Sequence, residues 1–260
     1  MTQLPYAKKS LGQHWLTDES SLKAICDAGM IEKEDNVLEI GPGFGNLTKL
    51  LAQKAKHIYA VELDKILASN LSANVRVSNL TVYQEDILKF DLNKLPTNYK
   101  VVANIPYYLT SNLIRVLSES TNPPQSAVLL VQKEVAERVI AGPGETSLLS
   151  ITAQYYWGVE QGIDVPARLF TPPPKVDSRL LILKRKDSQF FKPSDADAFF
   201  RLVKAGFSER RKKLRSSLSG GLGISKESAE QLLKQANIDP GLRAQALTME
   251  DWYRLYKASV

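Results

Sequence analysis

The sequence predicts an α/β domain with a mostly parallel sheet, followed by a small all-α domain. Three observations carry this. Short β-rich runs alternate with helix-spaced stretches through the first half, a glycine-rich turn closes the first of those strands, and strand-like runs cease after about Lys192.

Taken in order, Asn36 to Ile40 reads as a strand ending at Gly41, and from Phe44 to Lys54 apolar residues recur at helix spacing. His57 to Val61 is a second strand, followed by a helix from about Lys65. Leu80 to Tyr83 and Lys100 to Ala103 are two more strands, and Ser126 to Val131 is a fifth that leads into a helix through Arg138. Gln161 to Val165 and Arg179 to Leu183 are strand candidates flanking Pro172, Pro173 and Pro174, whose rings fix an extended turn. Residues 1–191 are expected to form one domain and 192–260 a second. In the second, Ser194 stands as an N-cap before two acidic residues of the first turn, Ser225 opens a helix to about Gln235, and Thr248 with Asp251 resembles a capping box.

Composition narrows the function. A chain of 260 residues that is 43% hydrophobic and 24% charged is globular, so wholesale disorder and fibre are excluded. The longest apolar run, around Ala127 to Val131, is far short of the ~18 residues a membrane span needs. The first residues lack the apolar stretch of a secretory signal, so a cytoplasmic protein without membrane attachment is expected. The single Cys26 excludes an internal disulfide, and with two histidines it leaves little for a zinc site; no metal is expected. Charge is uneven. Residues 168–260 carry 19 Lys and Arg against 10 Asp and Glu, while residues 1–167 carry 15 against 18. A near-neutral front and a basic back predict a chemistry module joined to a polyanion-binding one.

Glu39-Ile-Gly41-Pro-Gly43-Phe-Gly45 lies between the first strand and the first helix. Glycines there let the chain turn sharply and let a ligand approach backbone that has no Cβ. A dinucleotide fingerprint, G-x-G-x-x-G, would need its third glycine at Asn46, so that reading fails. The pattern instead resembles motif I of S-adenosylmethionine-dependent methyltransferases, which makes the first domain a Rossmann-like class I methyltransferase fold. Glu62, at the tip of the second strand, can accept from both ribose hydroxyls of an adenosine. Asp86, after the third strand, can accept from an adenine amino group. Ligands of open α/β sheets bind outside the carboxyl ends of the strands, where all three elements fall.

Asn104-Ile-Pro-Tyr107 follows the fourth strand directly and resembles the Asn/Asp-Pro-Pro-Tyr motif of amino-group methyltransferases. The lone pair of an adenine amino nitrogen is delocalised into the ring. Acceptors at Asn104 and a neighbouring carbonyl favour the pyramidal nitrogen and aim its lone pair at the sulfonium methyl. Pro106 stiffens the turn, and Tyr107 offers a face for stacking a flipped-out base. Rate then comes from alignment and electrostatics, with no covalent enzyme intermediate.

Beyond these motifs the chain resembles, over nearly its whole length, the KsgA family of small-subunit ribosomal RNA adenine dimethyltransferases. Lys9-Ser-Leu-Gly-Gln-His-Trp-Leu16 resembles the family's K-x-x-G-Q-x-F-L segment, with Trp15 where Phe is usual. The segments at Gln132 to Ala136, Leu149 to Gln154, Phe170 to Ser178 and Phe207 to Lys212 match in order, and Gln245 stands where Glu is usual. The resemblance implies that the first segment closes over the methionine end of the cofactor through Gln13, His14 and Leu16. It also implies that the proline loop shapes the base pocket, with its Lys175 contacting RNA, and that Phe170 stacks on the target adenine opposite Tyr107. Glu39, Gly41, Gly43, Glu62, Asp86 and Asn104 complete the cofactor set, with S-adenosylhomocysteine as product. Arg201, Lys204, Arg210, Arg211, Lys212, Lys213 and Arg215 recur at helix-like spacing and are expected to track RNA phosphates. The implied partners are ribosomal RNA and the small subunit or its assembly intermediate, met by a monomer.

Two other readings remain open. A related resistance-type enzyme modifies one adenine of large-subunit RNA, and Ile105 is if anything more typical of it; the Phe170 to Ser178 segment and the tail favour the first. A non-catalytic RNA-binding assembly factor that retains a cofactor pocket is the other, against which the intact Glu39, Glu62, Asp86 and Asn104 argue.

Overall fold

The computed structural model describes residues 7–8, 11–186 and 195–260. The chain divides into two compact units, Met1–Ala136 with Gly158–Arg185, and Glu137–Trp157 with Lys186–Val260. The division departs from a boundary at 191/192, because residues 137–157 belong to the second unit.

The first unit opens with a short strand β1 (Trp15–Leu16) and helix α1 (Glu19–Ala28), whose N-cap Asp18 accepts from the Ser21 amide. Then come β2 (Asn36–Ile40), α2 (Asn46–Ala52), β3 (His57–Val61), α3 (Lys65–Val75) and β4 (Leu80–Tyr83). The chain returns to the middle of the sheet with β5 (Lys100–Asn104), α4 (Thr110–Glu119), β6 (Ser126–Gln132) and α5 (Lys133–Ile140). After α6 (Leu148–Tyr156) follow β7 (Trp157–Val165), β8 (Phe170–Thr171) and β9 (Ser178–Arg185). The seven-stranded sheet runs β4-β3-β2-β5-β6-β9-β7; β4 through β6 are parallel and β9 joins β6 antiparallel. Strand β6 reads as a nearly unbroken apolar run because it is buried on both faces, as a parallel strand beneath helices must be, and β2 is buried along Val37 to Ile40 even at Glu39. Strands β1 and β8 form a separate two-stranded ladder, Trp15 opposite Thr171 and Leu16 opposite Phe170.

The second unit is helical, with α7 (Ala196–Phe207), α8 (Leu214–Leu222), α9 (Lys226–Gln235) and α10 (Met249–Ser259). Ile151 and Tyr155 of α6 bury against Phe199, Val203, Leu218, Leu233 and Trp252, which is why α6 belongs here. Two small residues set how closely the helices approach: a Cβ on Gly206 would lie 2.3 Å from the Trp252 ring, and one on Gly221 would lie 2.6 Å from the Ala205 backbone. The Ser225 cap and the Thr248–Asp251 capping box form as expected. Ser194 lies outside the described residues, and the helix after it begins at Ala196.

The expectation that the basic residues share helix spacing holds only in part. Arg201 and Lys204 are on α7, but Arg210 to Lys213 form the turn between α7 and α8. The chain must reverse there so that the two helices can pack through Gly206 and Gly221.

Gly206→Ala should overpack the helical core against Trp252 and destabilise that unit by about 1–3 kcal/mol. Thermal unfolding followed by Trp fluorescence checks it; an unchanged midpoint would contradict the close packing.

Candidate active site at the carboxyl ends of the strands

The sheet order reverses between β2 and β5, so the chain leaves those two strands in opposite directions and opens a cleft. Register makes the strands end together: Ile40 is opposite both Val61 and Ala103, so Gly41, Glu62 and Asn104 are each the next residue of neighbouring strands. The cavity there is lined by residues between Leu11 and Leu109, including Gln13, His14, Leu16, Glu39, Gly41, Gly43, Glu62, Asp86, Asn104 and Pro106. All nine residues expected to hold the cofactor thus meet in one cavity.

Its floor is the glycine turn. Gly41 and Gly43 have φ of +65° and +59°, a region where side chains are strained. A Cβ on Gly41 would point to within 3.8 Å of the Asn104 carbonyl, and one on Gly43 to 3.3 Å of the Trp15 ring. Gly45, with φ of +84°, has a packing reason as well, since its Cβ would lie 2.3 Å from Val75 Cγ2.

Glu62 ties this turn to the second strand. Its Oε2 accepts from the Gly43 amide at 3.1 Å and its Oε1 from the Asp64 amide at 2.8 Å. Burial raises its pKa, and these amides oppose the rise. Each oxygen keeps a lone pair for a ribose hydroxyl. Glu39, at 1% exposure, lies deeper. Burial pushes its pKa up to about 8, the Thr48 hydroxyl opposing and the charge of Glu62 adding. Glu39 Oε2 has no hydrogen-bond partner among the described residues. Asp86 accepts from the Leu88 amide at 3.0 Å through one oxygen, leaving the other for a ligand.

The segment before β1 forms the opposite wall. Gln13 donates to Asp64 Oδ2 at 3.1 Å and accepts from the Lys8 amide, and the Lys8 ammonium lies 2.8 Å from the same Asp64 oxygen. Burial alone would raise the Asp64 pKa, but Lys8, Gln13 and the Ile66 amide hold it below the ordinary value. The Gln13 amide thus ties the wall to Asp64 while its side chain also lines the cavity. Asp64, two residues past the strand-tip Glu62, is its anchor. His14 Nδ1 lies 2.7 Å from the Pro172 carbonyl, and the Asn104 amide nitrogen donates to the His14 carbonyl at 3.4 Å. With the nitrogen so engaged, Asn104 Oδ1 has no hydrogen bond among the described residues. Trp15 packs edge-on against Phe44 at 4.6 Å, an aromatic contact that absorbs the change from Phe.

Two expected catalytic residues are placed differently. Tyr107 is half-buried, with its hydroxyl 2.8 Å from Ser178 Oγ and its ring nearly parallel to His14 at 6.1 Å. It does not line the cavity. Phe170 is 3% exposed and packs in the apolar cluster with Leu16, Leu22, Val165 and Leu180. The expectation that it offers a stacking face is not met here, because pairing of β8 with β1 turns its ring into the core. Tyr108, which the sequence motifs do not single out, does line the cavity and is largely exposed. Its place directly after the catalytic motif is the one signal that points to it. Of the expected RNA contacts, Lys175 in the first unit and Arg201, Lys204 and Arg210 to Lys213 in the second are exposed. Lys212 is paired with Glu209, and Arg215 with Glu230 at 2.7 Å.

Residues 6–259 match the family described as "Ribosomal RNA adenine dimethylase". The chain belongs to that family. It is 40% identical over 264 residues, 96% of this chain and 91% of the other, to the ribosomal RNA small subunit methyltransferase A of Streptococcus thermophilus. Among solved structures it is similar to a dimethyladenosine transferase from Plasmodium falciparum, at 29% identity and a TM-score of 0.82, over 95% of this chain and 99% of that one. It is also similar to the 23S rRNA methyltransferase ErmE, at 26% identity and a TM-score of 0.76, over 94% and 98% of the two chains.

As a ribosomal RNA adenine dimethylase it uses S-adenosylmethionine, and the cavity fits that cofactor. Glu39 Oε2 is a buried polar atom with no partner among the described residues, Gly41 and Gly43 leave space a Cβ would fill, and Glu62 holds two oriented acceptors. When bound, the cofactor supplies an electrophilic methyl group on a sulfonium.

The buried carboxyl has a pH signature. Glu39 keeps its proton in the folded protein up to about pH 8, whereas the unfolded chain loses it near 4.5, so this group makes stability fall as pH rises between those values. Glu39→Gln should flatten that fall. Guanidinium unfolding at pH 5.5 and pH 8 measures it, and equal losses in parent and variant would contradict the assignment.

Proposed function

We propose that the chain transfers methyl groups to N6 of two adjacent adenosines near the 3′ end of small-subunit (16S) ribosomal RNA, giving N6,N6-dimethyladenosines during ribosome biogenesis. It acts on the small subunit or its assembly intermediate, as a monomer in the cytoplasm. The observation that carries the reading is Asn104, one residue past β5 pairing with β2, its amide nitrogen held by the His14 carbonyl and its oxygen free. That oxygen accepts an N–H of the adenine amino group, draws the nitrogen toward pyramidal geometry and directs its lone pair at the methyl group. Pro106 holds the turn, and Tyr107 is fixed by Ser178 behind it. The gain comes from preorganised alignment. The small subunit is favoured over the large by the 40% identity to a small-subunit methyltransferase across 96% of the chain. No helix among the described residues is long and apolar enough to cross a membrane, in keeping with the proposed location.

RNA phosphates are met by the exposed Lys175, Arg201, Lys204, Arg210, Arg211 and Lys213, which lack carboxylate partners among the described residues. Lys212 and Arg215 must give up Glu209 and Glu230 to contribute. Such contacts set affinity and position; the base is chosen by RNA shape and unpaired nucleotides.

The test is methyl transfer from labelled S-adenosylmethionine to undermethylated small subunits and, separately, to large-subunit RNA, with nucleosides identified by mass spectrometry. Dimethyladenosine in small subunits alone is expected. Label in large-subunit RNA would favour the activity named for ErmE, and none in either would overturn catalysis. Asn104→Ala should lower kcat by about 10²–10³-fold, with S-adenosylhomocysteine affinity within a few-fold of the parent. Replacing Arg210 and Arg211 together by Ala should reduce the slope of log affinity against log salt by roughly 1.5 to 2. An unchanged slope would remove this turn from the RNA surface.

A further inference from the structure

Tyr108 is a cavity residue that the catalytic reading leaves without a role. It is 58% exposed and sits in the 3₁₀ turn, Tyr107–Leu109, that follows the catalytic motif. Its surroundings place the ring. Gly12, in the wall segment, lies alongside: a Cβ there would make van der Waals contact with the ring, 3.4 Å from Tyr108 Cε1. Asp86 and Glu62 line the same cavity as the phenol, and partial burial and then their charges push its pKa up. Leu63, another exposed apolar side chain, lines the same cavity.

Glu62 and Asp86 are the acceptors for the ribose and the adenine amino group, so the ring flanks the adenosine half of the cleft. An exposed aromatic beside such acceptors has one face available for a heterocycle, and stacking is worth most where it removes both faces from water. We infer that Tyr108 is a cofactor-binding residue that stacks over the adenosine half of bound S-adenosylmethionine. The inference rests on the cofactor reading above and on the places assigned to Glu62 and Asp86. The ring holds the cofactor beside the wall segment, and Tyr107 stays separately fixed to Ser178.

Calorimetric titration of S-adenosylhomocysteine into the parent, Tyr108→Ala and Tyr108→Phe tests this. Methylthioadenosine, which carries the adenosine half without the amino acid, serves as the second probe. Tyr108→Ala should raise the Kd of both ligands by about tenfold, and Tyr108→Phe should stay within about twofold of the parent, because the ring face is what binds. Thermal unfolding shows that the variants are folded. Unchanged Kd values in Tyr108→Ala would overturn the inference, as would a rise confined to the KM for RNA, which would put the ring on the target base. Failure of the parent to bind either ligand would refute the cofactor reading itself and the inference with it.

Discussion

The parallel pairing of β2 with β3 on one side and β5 on the other is the constraint on which the active site depends. Because Ile40 is opposite both Val61 and Ala103, the glycine turn, the Glu62 carboxylate and the Asn104 amide emerge at one level. A shift of one residue in either ladder would reverse the faces of that strand's side chains and separate these groups. The amide of Gly43 bonded to Glu62 locks the level by joining the first loop to the second strand. Catalysis by positioning needs such rigidity, since its contribution is lost when the acceptor is misplaced by an ångström.

The wall segment is organised differently. It is held by polar contacts of single residues: Gln13 and Lys8 on Asp64, His14 on the Pro172 carbonyl and on the Asn104 amide, Asn46 on the Leu16 carbonyl. Each is a modest net interaction, so the segment is tied at several points without being part of the main sheet. Asn104 belongs to both systems. Its backbone is set by β5 and its side chain donates to the wall, so the wall takes part in orienting the Asn104 amide. The same wall sits beside Tyr108 through Gly12.

The helical unit obtains its rigidity from aromatic packing and from two glycines that let α7 approach Trp252 and α8. Its basic residues consequently fall outside the core, several of them on the turn that the close packing requires. Two of the expected cations are already neutralised by glutamates, so formal charge overstates the positive surface offered to RNA.

The sequence by itself determined the strand–helix alternation, the glycine turn, the carboxylates at successive strand tips and the Asn104 motif. Apolar periodicity and glycine placement are local properties, and they are readable because each is imposed by the backbone geometry of its own segment. The Ser225 cap and the Thr248–Asp251 box were legible for the same reason. Only the tertiary structure decided that α6 packs with the helical unit, because its apolar face fits either neighbour until Phe199 and Trp252 are in place. Only it decided that Phe170 turns into the core, a consequence of pairing with Leu16 across more than 150 residues of chain. The engagement of Gln13 by Asp64, the neutralisation of Arg215 by Glu230 and the place of Tyr108 at the cavity mouth are likewise contacts between segments remote in sequence, which no local pattern encodes.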